Sequence, residues 1–487
     1  MKFNELSDVP EVKKLKFFLA NPSDSTQKLG FIPLGMAYLA AVLEANGVQV
    51  WCANYTVEDY DPEDVKRLIV ENDINTVALS GFTPHIYATY RLVKLIKEIN
   101  PNIKVIVGGP HPTILFQEVL DHGVDLVIRG EAEHVLYQML PYLQKFDLDE
   151  IGKIKGVCFK RGGQIVNTGM PQRIEDLDVL PFPARHKFKY FPEKYNILLP
   201  LNLTRDWRVA TIMTSRGCSA HCVFCSKQVF GSKITYRSPE NVMAEINHLV
   251  EQYKINEISM SDDYFTFDAE RIKKICRLIM DSRLGIKWSC SNTRVDVLDD
   301  DMFGMMKASG CYRISFGIES GVQRVIDAIG KNITLDQVDE AIRLANKYHF
   351  QIIVNFIIGH HCETVADIKE TIRFAKKLKV DIVQFGVNTP FPGTPLYRLL
   401  KRDGNLLSEN WRDYDYSNKA VFKTKDLSPE MIIKLYREAW RAVTVYNPRF
   451  IARHVRRFLF DKDTSRRQYL TVARTELMKR VFLKKWL

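Results

Sequence analysis

Two long stretches of this chain alternate short apolar runs with helix-period segments, and most of the apolar runs end in glycine, proline or small polar residues. In the first stretch, strands are expected at 16–20, 48–53, 77–80, 104–107 and 126–128, and helices at 34–46, 62–72, 86–99 and 113–121. Strands alternating with helices across short turns predict a parallel, doubly wound sheet. Ligands on such a sheet sit at the carboxyl ends of the strands, which here carry Asn21-Pro22, Ser80-Gly81, Gly108-Gly109-Pro110 and Gly130-Glu131. The second stretch repeats the alternation, with strands expected at 209–214, 257–261, 287–291, 313–317, 351–358 and 381–387. Six strand–helix repeats predict a partial barrel with its chemistry on the loops after the strands. Residues 145–207 read as a connector, because Leu180-Pro181-Phe182-Pro183 cannot continue a helix. The expected division is therefore α/β: 1–144 Rossmann-like, 145–207 connector, 208–400 partial (β/α)6 barrel and 401–487 a small, basic helical region.

Of the nine cysteines, three are clustered in Cys218-Ser219-Ala220-His221-Cys222-Val223-Phe224-Cys225, directly after the first barrel strand. The N-terminal residues are mixed and charged, and no run is apolar and long enough to span a membrane, so a cytoplasmic location is expected. In that setting scattered cysteines are small buried hydrophobes and a tight cluster is a metal site. Three thiolates from one loop fill three irons of a four-iron cubane and leave the fourth open to a ligand. The alternative is a zinc knuckle, which needs a fourth ligand; His221 lies inside the spacing.

Charge is localised. From Lys434 onward there are fifteen basic and four acidic residues, a difference equal to the chain's net charge of +11. The remainder is balanced and carries no groove-reading motif, so no nucleic-acid partner is expected. In 449–460 and again in 475–487, cations interleave with apolar residues. Such a helix lies on an anionic membrane or packs with its basic face in solvent. The first stretch reads as packed, the second as membrane contact on the inner face.

Over 210–397 the chain resembles the radical S-adenosylmethionine (radical SAM) enzymes. The resemblance implies a [4Fe–4S] cluster on Cys218, Cys222 and Cys225, with Phe224 near the adenine of S-adenosylmethionine. It implies that Asp262 and Asp263 bind the cofactor's amino group, and that Asn292 and Arg294 meet its carboxylate and ribose. Ser315 and Glu319, in Ser-Phe-Gly-Ile-Glu-Ser, are implied ribose and polar-tail contacts, and Pro392-Gly393-Thr394-Pro395 is a further landmark. One departure stands out. The family's Gly-Leu-Pro-Gly-Glu-Thr reads Gly359-His360-His361-Cys362-Glu363-Thr364 here. His360 and His361 are thus candidates for substrate acid–base work or a second metal, against ordinary loop polar groups.

The first domain, over 15–140, resembles the cobalamin-binding domains that precede the barrel in one subgroup of that family. The resemblance rests on Pro33-Leu34-Gly35-Met36-Ala37-Tyr38-Leu39-Ala40, Leu79-Ser80-Gly81-Phe82, Val107-Gly108-Gly109-Pro110-His111-Pro112 and Gly130-Glu131-Ala132-Glu133. It implies a cobalamin site at Gly35, Ser80, Gly81, Gly108, Gly109, Pro110 and Glu131. The usual Asp-x-His-x-x-Gly loop is absent, and 21–34 holds no histidine, so the domain either takes cobalamin without a protein ligand to cobalt or has lost it and only covers the barrel mouth. A nicotinamide fold is disfavoured because no Gly-x-Gly-x-x-Gly follows the first strand. The activity implied is anaerobic modification of an unactivated carbon, by methyl transfer, with cyclisation or skeletal rearrangement as the alternative and a non-catalytic cofactor sensor as the second. Implied partners are a one-electron donor such as ferredoxin or flavodoxin and a small-molecule or lipid substrate.

Overall fold

The computed structural model describes residues 3–25, 30–195, 208–297, 299–416, 419–444 and 447–460. Strands β1 (Lys16–Asn21), β2 (Gln49–Asn54), β3 (Thr76–Ser80), β4 (Lys104–Gly108) and β5 (Leu126–Ile128) pair in parallel. Phe17, Phe18, Leu19 and Ala20 of β1 are all fully buried. That continuous apolar run fits a strand covered by helices on both faces. The sheet order β2-β1-β3-β4-β5 reverses direction between β1 and β3. A crevice opens at the carboxyl ends of strands at such a switch point.

The described part of the expected connector, 145–195, adds strands to the first sheet. Strands β6 (Val157–Arg161) and β7 (Gln164–Asn167) form a hairpin that extends the sheet antiparallel beyond β5. Gly162 and Gly163, both at positive φ, make its two-residue turn. The helix expected at 113–121 is split into Pro110–Ile114 and Phe116–Asp121.

In the second domain β8 (Val209–Ile212) leads into a short ribbon of β9 (Ser215–Arg216) and β10 (Thr235–Tyr236). Five more strands follow: β11 (Glu257–Met260), β12 (Lys287–Thr293), β13 (Cys311–Glu319), β14 (Gln351–Ile358) and β15 (Ile382–Val387). The parallel order β15-β14-β13-β12-β11-β8 makes a six-stranded partial barrel. Helix Pro429–Thr444 packs on β15 and buries Ile432, Leu435, Ala439 and Val443. Trp411 reaches back to the first domain, donating its indole N–H to Glu118 at 3.0 Å. Helix Pro448–Phe460 is pinned to the barrel, with Arg453 on the buried carboxylate of Asp381 at 2.6 Å and His454 on its carbonyl at 2.8 Å. The second basic stretch, 475–487, lies outside the described residues. No described helix is long and apolar enough to cross a membrane.

Candidate active site

The cysteine loop is built on a buried carboxylate. Asp262, just past the end of β11, accepts from the Thr214 amide at 2.6 Å, the Thr214 hydroxyl at 2.5 Å and the Ser215 hydroxyl at 2.6 Å. Its neighbour Asp263 accepts from the Gly217 amide at 3.0 Å. Gly217 has φ +90, and a Cβ there would lie 2.2 Å from the Lys233 carbonyl, so only glycine can make this approach. The loop is then fastened by Val223 N–H to Ile329 O at 3.0 Å and Leu396 N–H to Val223 O at 2.9 Å. Asp262→Ala is expected to strand those donors and cost about 3 kcal/mol of stability. Denaturant unfolding of the cluster-free chain checks this, and an unchanged midpoint would refute it.

Cys218, Cys222 and Cys225 line one cavity of about 500 Å³ with Phe224, Asp263, Asn292, Arg294 and Glu319. The carboxyl ends of β8, β11, β12 and β13 thus converge as the sequence implied. Two expected residues are elsewhere. Asp262 spends its oxygens on the loop root, and the Ser315 hydroxyl accepts from Asn355 at 2.9 Å, away from the cavity lining. Arg294 chelates Asp296 at 2.7–3.0 Å and donates to the Lys331 carbonyl at 2.8 Å, yet its Nη1 has no partner. An arginine in the cavity lining fits an anionic group such as a carboxylate. Sequence reading missed Lys331, whose ammonium pairs with Glu319 at 2.8 Å beside Gly317.

Burial raises the Cys222 thiol, with Lys331 and Arg294 pulling the other way. Burial and the two neighbouring thiols push Cys225 up to about 11. Among the described residues, no trio of His, Cys, Asp or Glu closes around a single ion. Three thiols lining one cavity suit a polynuclear cluster, whose irons each take one thiolate. His221, the candidate fourth ligand of a zinc knuckle, is exposed and outside the lining.

A second cleft, of about 610 Å³, opens at the switch point of the first sheet. Gly35, Ser80, Gly108, Gly109, Pro110 and Glu131 line it together with Tyr38, Arg216 and Phe230. Gly81 does not; its Cα faces Pro112, which a Cβ would meet at 2.6 Å. Gly109 has φ +113, and its Cβ would lie 3.0 Å from the Gly81 carbonyl. A largely apolar cleft floored by glycine backbone fits a flat macrocycle and its tail. Phe82, Pro110, Val229 and Phe230 line both cavities, so the two share a wall.

Neither His360 nor His361 lines either cavity. His360 is fully buried, its ring 5.7 Å from that of Phe224. Glu363 folds the loop on itself, accepting from the Gly359 and His360 amides at 2.8 Å each. Burial drives His360 down to about 3. Its folded value lies below the unfolded one, so it contributes stability above pH ~6.5 that is lost as pH falls. Glu363, raised to about 8 by burial, has the opposite sign: its contribution is lost as pH rises from ~4.5. His360→Gln is expected to flatten the acid limb by up to about 1.4 kcal/mol per pH unit below pH ~6.5. Equal slopes for parent and variant would refute this.

The Radical SAM superfamily matches residues 212–375, and the B12 binding domain matches residues 26–140. An uncharacterised methyltransferase of Pyrococcus horikoshii is 34% identical over 84% of this chain and 86% of its own length. The chain belongs to the B12-binding radical SAM enzymes. This radical SAM enzyme is also similar to the anaerobic magnesium-protoporphyrin IX monomethyl ester cyclase of Rubrivivax gelatinosus, 27% identical over 93% of this chain and 80% of that protein. Its fold is that of the cobalamin-dependent S-adenosylmethionine radical enzyme OxsB, solved with aqua-cobalamin bound, at a TM-score of 0.71 and 15% identity over 96% of this chain and 76% of that one. A [4Fe–4S] cluster, S-adenosylmethionine and cobalamin are the cofactors of this enzyme group.

Proposed function

We propose that the enzyme transfers a methyl group to an unactivated carbon, with the substrate held where the two cavities meet. The observation that carries this reading is the wall of Phe82, Pro110, Val229 and Phe230 common to both. When bound, the cluster and S-adenosylmethionine supply a hydrogen-abstracting radical and the cobalamin supplies a methyl group. The chain's own residues position and shield. Arg294 and Asn292 meet the polar tail of S-adenosylmethionine, and Phe224 lies against its base. The Glu319–Lys331 pair forms the polar floor. Phe82, 45% exposed at the shared wall, packs on substrate and excludes water. A one-electron donor of the ferredoxin or flavodoxin kind reduces the cluster.

Anaerobic purification with cobalamin in the medium tests this reading. Roughly four irons and one cobalt per chain are expected, with both 5′-deoxyadenosine and S-adenosylhomocysteine formed on turnover. Iron without cobalt would overturn methyl transfer. The second reading, ring closure or carbon–carbon bond formation without methyl transfer, is supported by the 27% identity to the cyclase over 93% of this chain. Under it 5′-deoxyadenosine forms without S-adenosylhomocysteine.

The substrate is a small molecule or a lipid. Val455 and Leu459, each about half exposed, share a face of helix Pro448–Phe460 with Arg456, which supports peripheral contact with an anionic membrane. That helix is anchored at Asp381, before β15, the barrel end opposite the cysteines, so membrane contact there does not itself deliver a lipid to the cavity. Val455→Asp with Leu459→Asp is expected to weaken sedimentation with anionic vesicles about tenfold. Unchanged sedimentation would remove this face from the membrane reading.

A further inference from the structure

Arg216 stands two residues before Cys218 and is buried in the wall of the other cavity. Its Nη1 donates to Glu131 at 2.9 Å and its Nη2 to Glu133 at 2.6 Å. Both carboxylates belong to the first domain, and Glu131 also accepts from the Ile174 amide at 3.1 Å. The guanidinium carbon lies 5.2 Å from the Tyr38 ring centroid and 5.1 Å from that of Phe230. Tyr38 lines the first-domain cleft alone, whereas Phe230 lines both cavities. One side chain therefore touches the cleft wall, the shared wall and, through Gly217, the first cysteine.

We propose that Arg216 is a positioning residue that couples occupation of the cobalamin cleft to the S-adenosylmethionine site at the cluster loop. The physical argument is mechanical. Gly217 packs against the Lys233 carbonyl too closely for any Cβ, and its amide is tied to Asp263 at 3.0 Å. A displacement of Arg216 is thus passed to Cys218 on one side and to Asp263, a lining residue of the cluster cavity, on the other. With the cleft empty, Tyr38 and Glu131 present a free face to it. A flat ligand seated there fixes both residues, and with them the fork that holds the loop. A bidentate guanidinium between two carboxylates has one geometry, so little of that restraint is lost to side-chain motion. Without Arg216, the two buried carboxylates would lie together with no cation bonded to either among the described residues, so the guanidinium ties the first domain to this loop.

Linkage makes the proposal measurable without turnover, because a coupling between two sites is reciprocal in their affinities. It rests on the two-cofactor reading, and the test separates the two. The full chain carries an oxidised, reconstituted cluster, so S-adenosylmethionine binds uncleaved. Its dissociation constant is measured by equilibrium dialysis with and without saturating hydroxocobalamin. Parent protein is expected to bind S-adenosylmethionine at least about fivefold more tightly with hydroxocobalamin present. In Arg216→Gln the two constants are expected to agree within about twofold while both ligands still bind at saturation. Glu133→Gln removes the charge from one arm only and is expected to give an intermediate ratio, so it serves where Arg216→Gln fails to fold. Arg216→Lys keeps the charge and loses the fork, and is expected to behave as Arg216→Gln. A parent ratio near one, or a parent-like ratio in Arg216→Gln or Glu133→Gln, overturns the coupling. Failure of parent protein to bind hydroxocobalamin overturns the two-cofactor reading instead.

Discussion

Alanine at Cys218, Cys222 or Cys225, one at a time, is expected to abolish the cluster and bring 5′-deoxyadenosine formation to background. In the proposed cluster site each thiolate would hold one iron, and the fourth iron would stay open for S-adenosylmethionine. Losing one thiolate would leave a second iron open, in a cavity that no other described cysteine lines. His221 faces solvent, and Asp263 is engaged with the Gly217 amide. Cys222 and Cys225 are raised by burial, so iron must displace their protons on binding. Cys362 gives the contrast. It lies on the loop of His360, outside the cavity lining, and Cys362→Ala is expected to keep parent iron content and activity. Iron analysis, the visible absorption of the reconstituted protein and chromatography of 5′-deoxyadenosine check both variants. Substantial cleavage by Cys222→Ala would sink the assignment of the triad. Loss of iron in Cys362→Ala would bring that loop into the cluster site.

The cysteine triad was legible because its spacing is local: three residues on one loop after one strand. The parallel sheets were legible for the same reason, since each strand carries its own apolar run and its own stop. What stayed hidden depends on partners distant in sequence. Lys331 meets Glu319 only because the chain doubles back after helix Gln323–Ala328. Arg216 meets Glu131 and Glu133 across the domain boundary, at separations of 85 and 83 residues. No periodicity announces either pair. Asp262 and Asp263 are a different case. Past the end of β11 the first turns its carboxylate to Thr214 and Ser215 while the second lines the cavity. The β6–β7 hairpin was also within reach. Gly162-Gly163 between Val-Cys-Phe-Lys-Arg and Gln-Ile-Val-Asn is a two-residue turn signal.

Gly35→Phe is expected to empty the first-domain cleft of cobalamin while sparing the fold and the cluster. Gly35 lies in the first turn of helix Leu34–Ala45 and lines the cleft. A Cβ there meets nothing within 4 Å, so a ring added at this position projects into open space. Replacing a helical glycine also removes backbone entropy from the unfolded chain, a gain of about 0.5–1 kcal/mol that offsets strain from the new ring. Gly109 is the instructive opposite. At φ +113, with a Cβ 3.0 Å from the Gly81 carbonyl, Gly109→Ala is strained whatever occupies the cleft. The two glycines thus separate filling a site from breaking it. Gly35→Phe purified with cobalamin in the medium is expected to carry parent iron and background cobalt. It is expected to cleave S-adenosylmethionine to 5′-deoxyadenosine without forming S-adenosylhomocysteine, because the three cysteines and the residues proposed to hold S-adenosylmethionine all lie in the barrel domain. Full cobalt in Gly35→Phe would mean that cobalamin does not occupy this cleft. Cobalt lost together with 5′-deoxyadenosine formation would mean that the radical half itself needs the filled cleft, the strong form of the coupling assigned to Arg216.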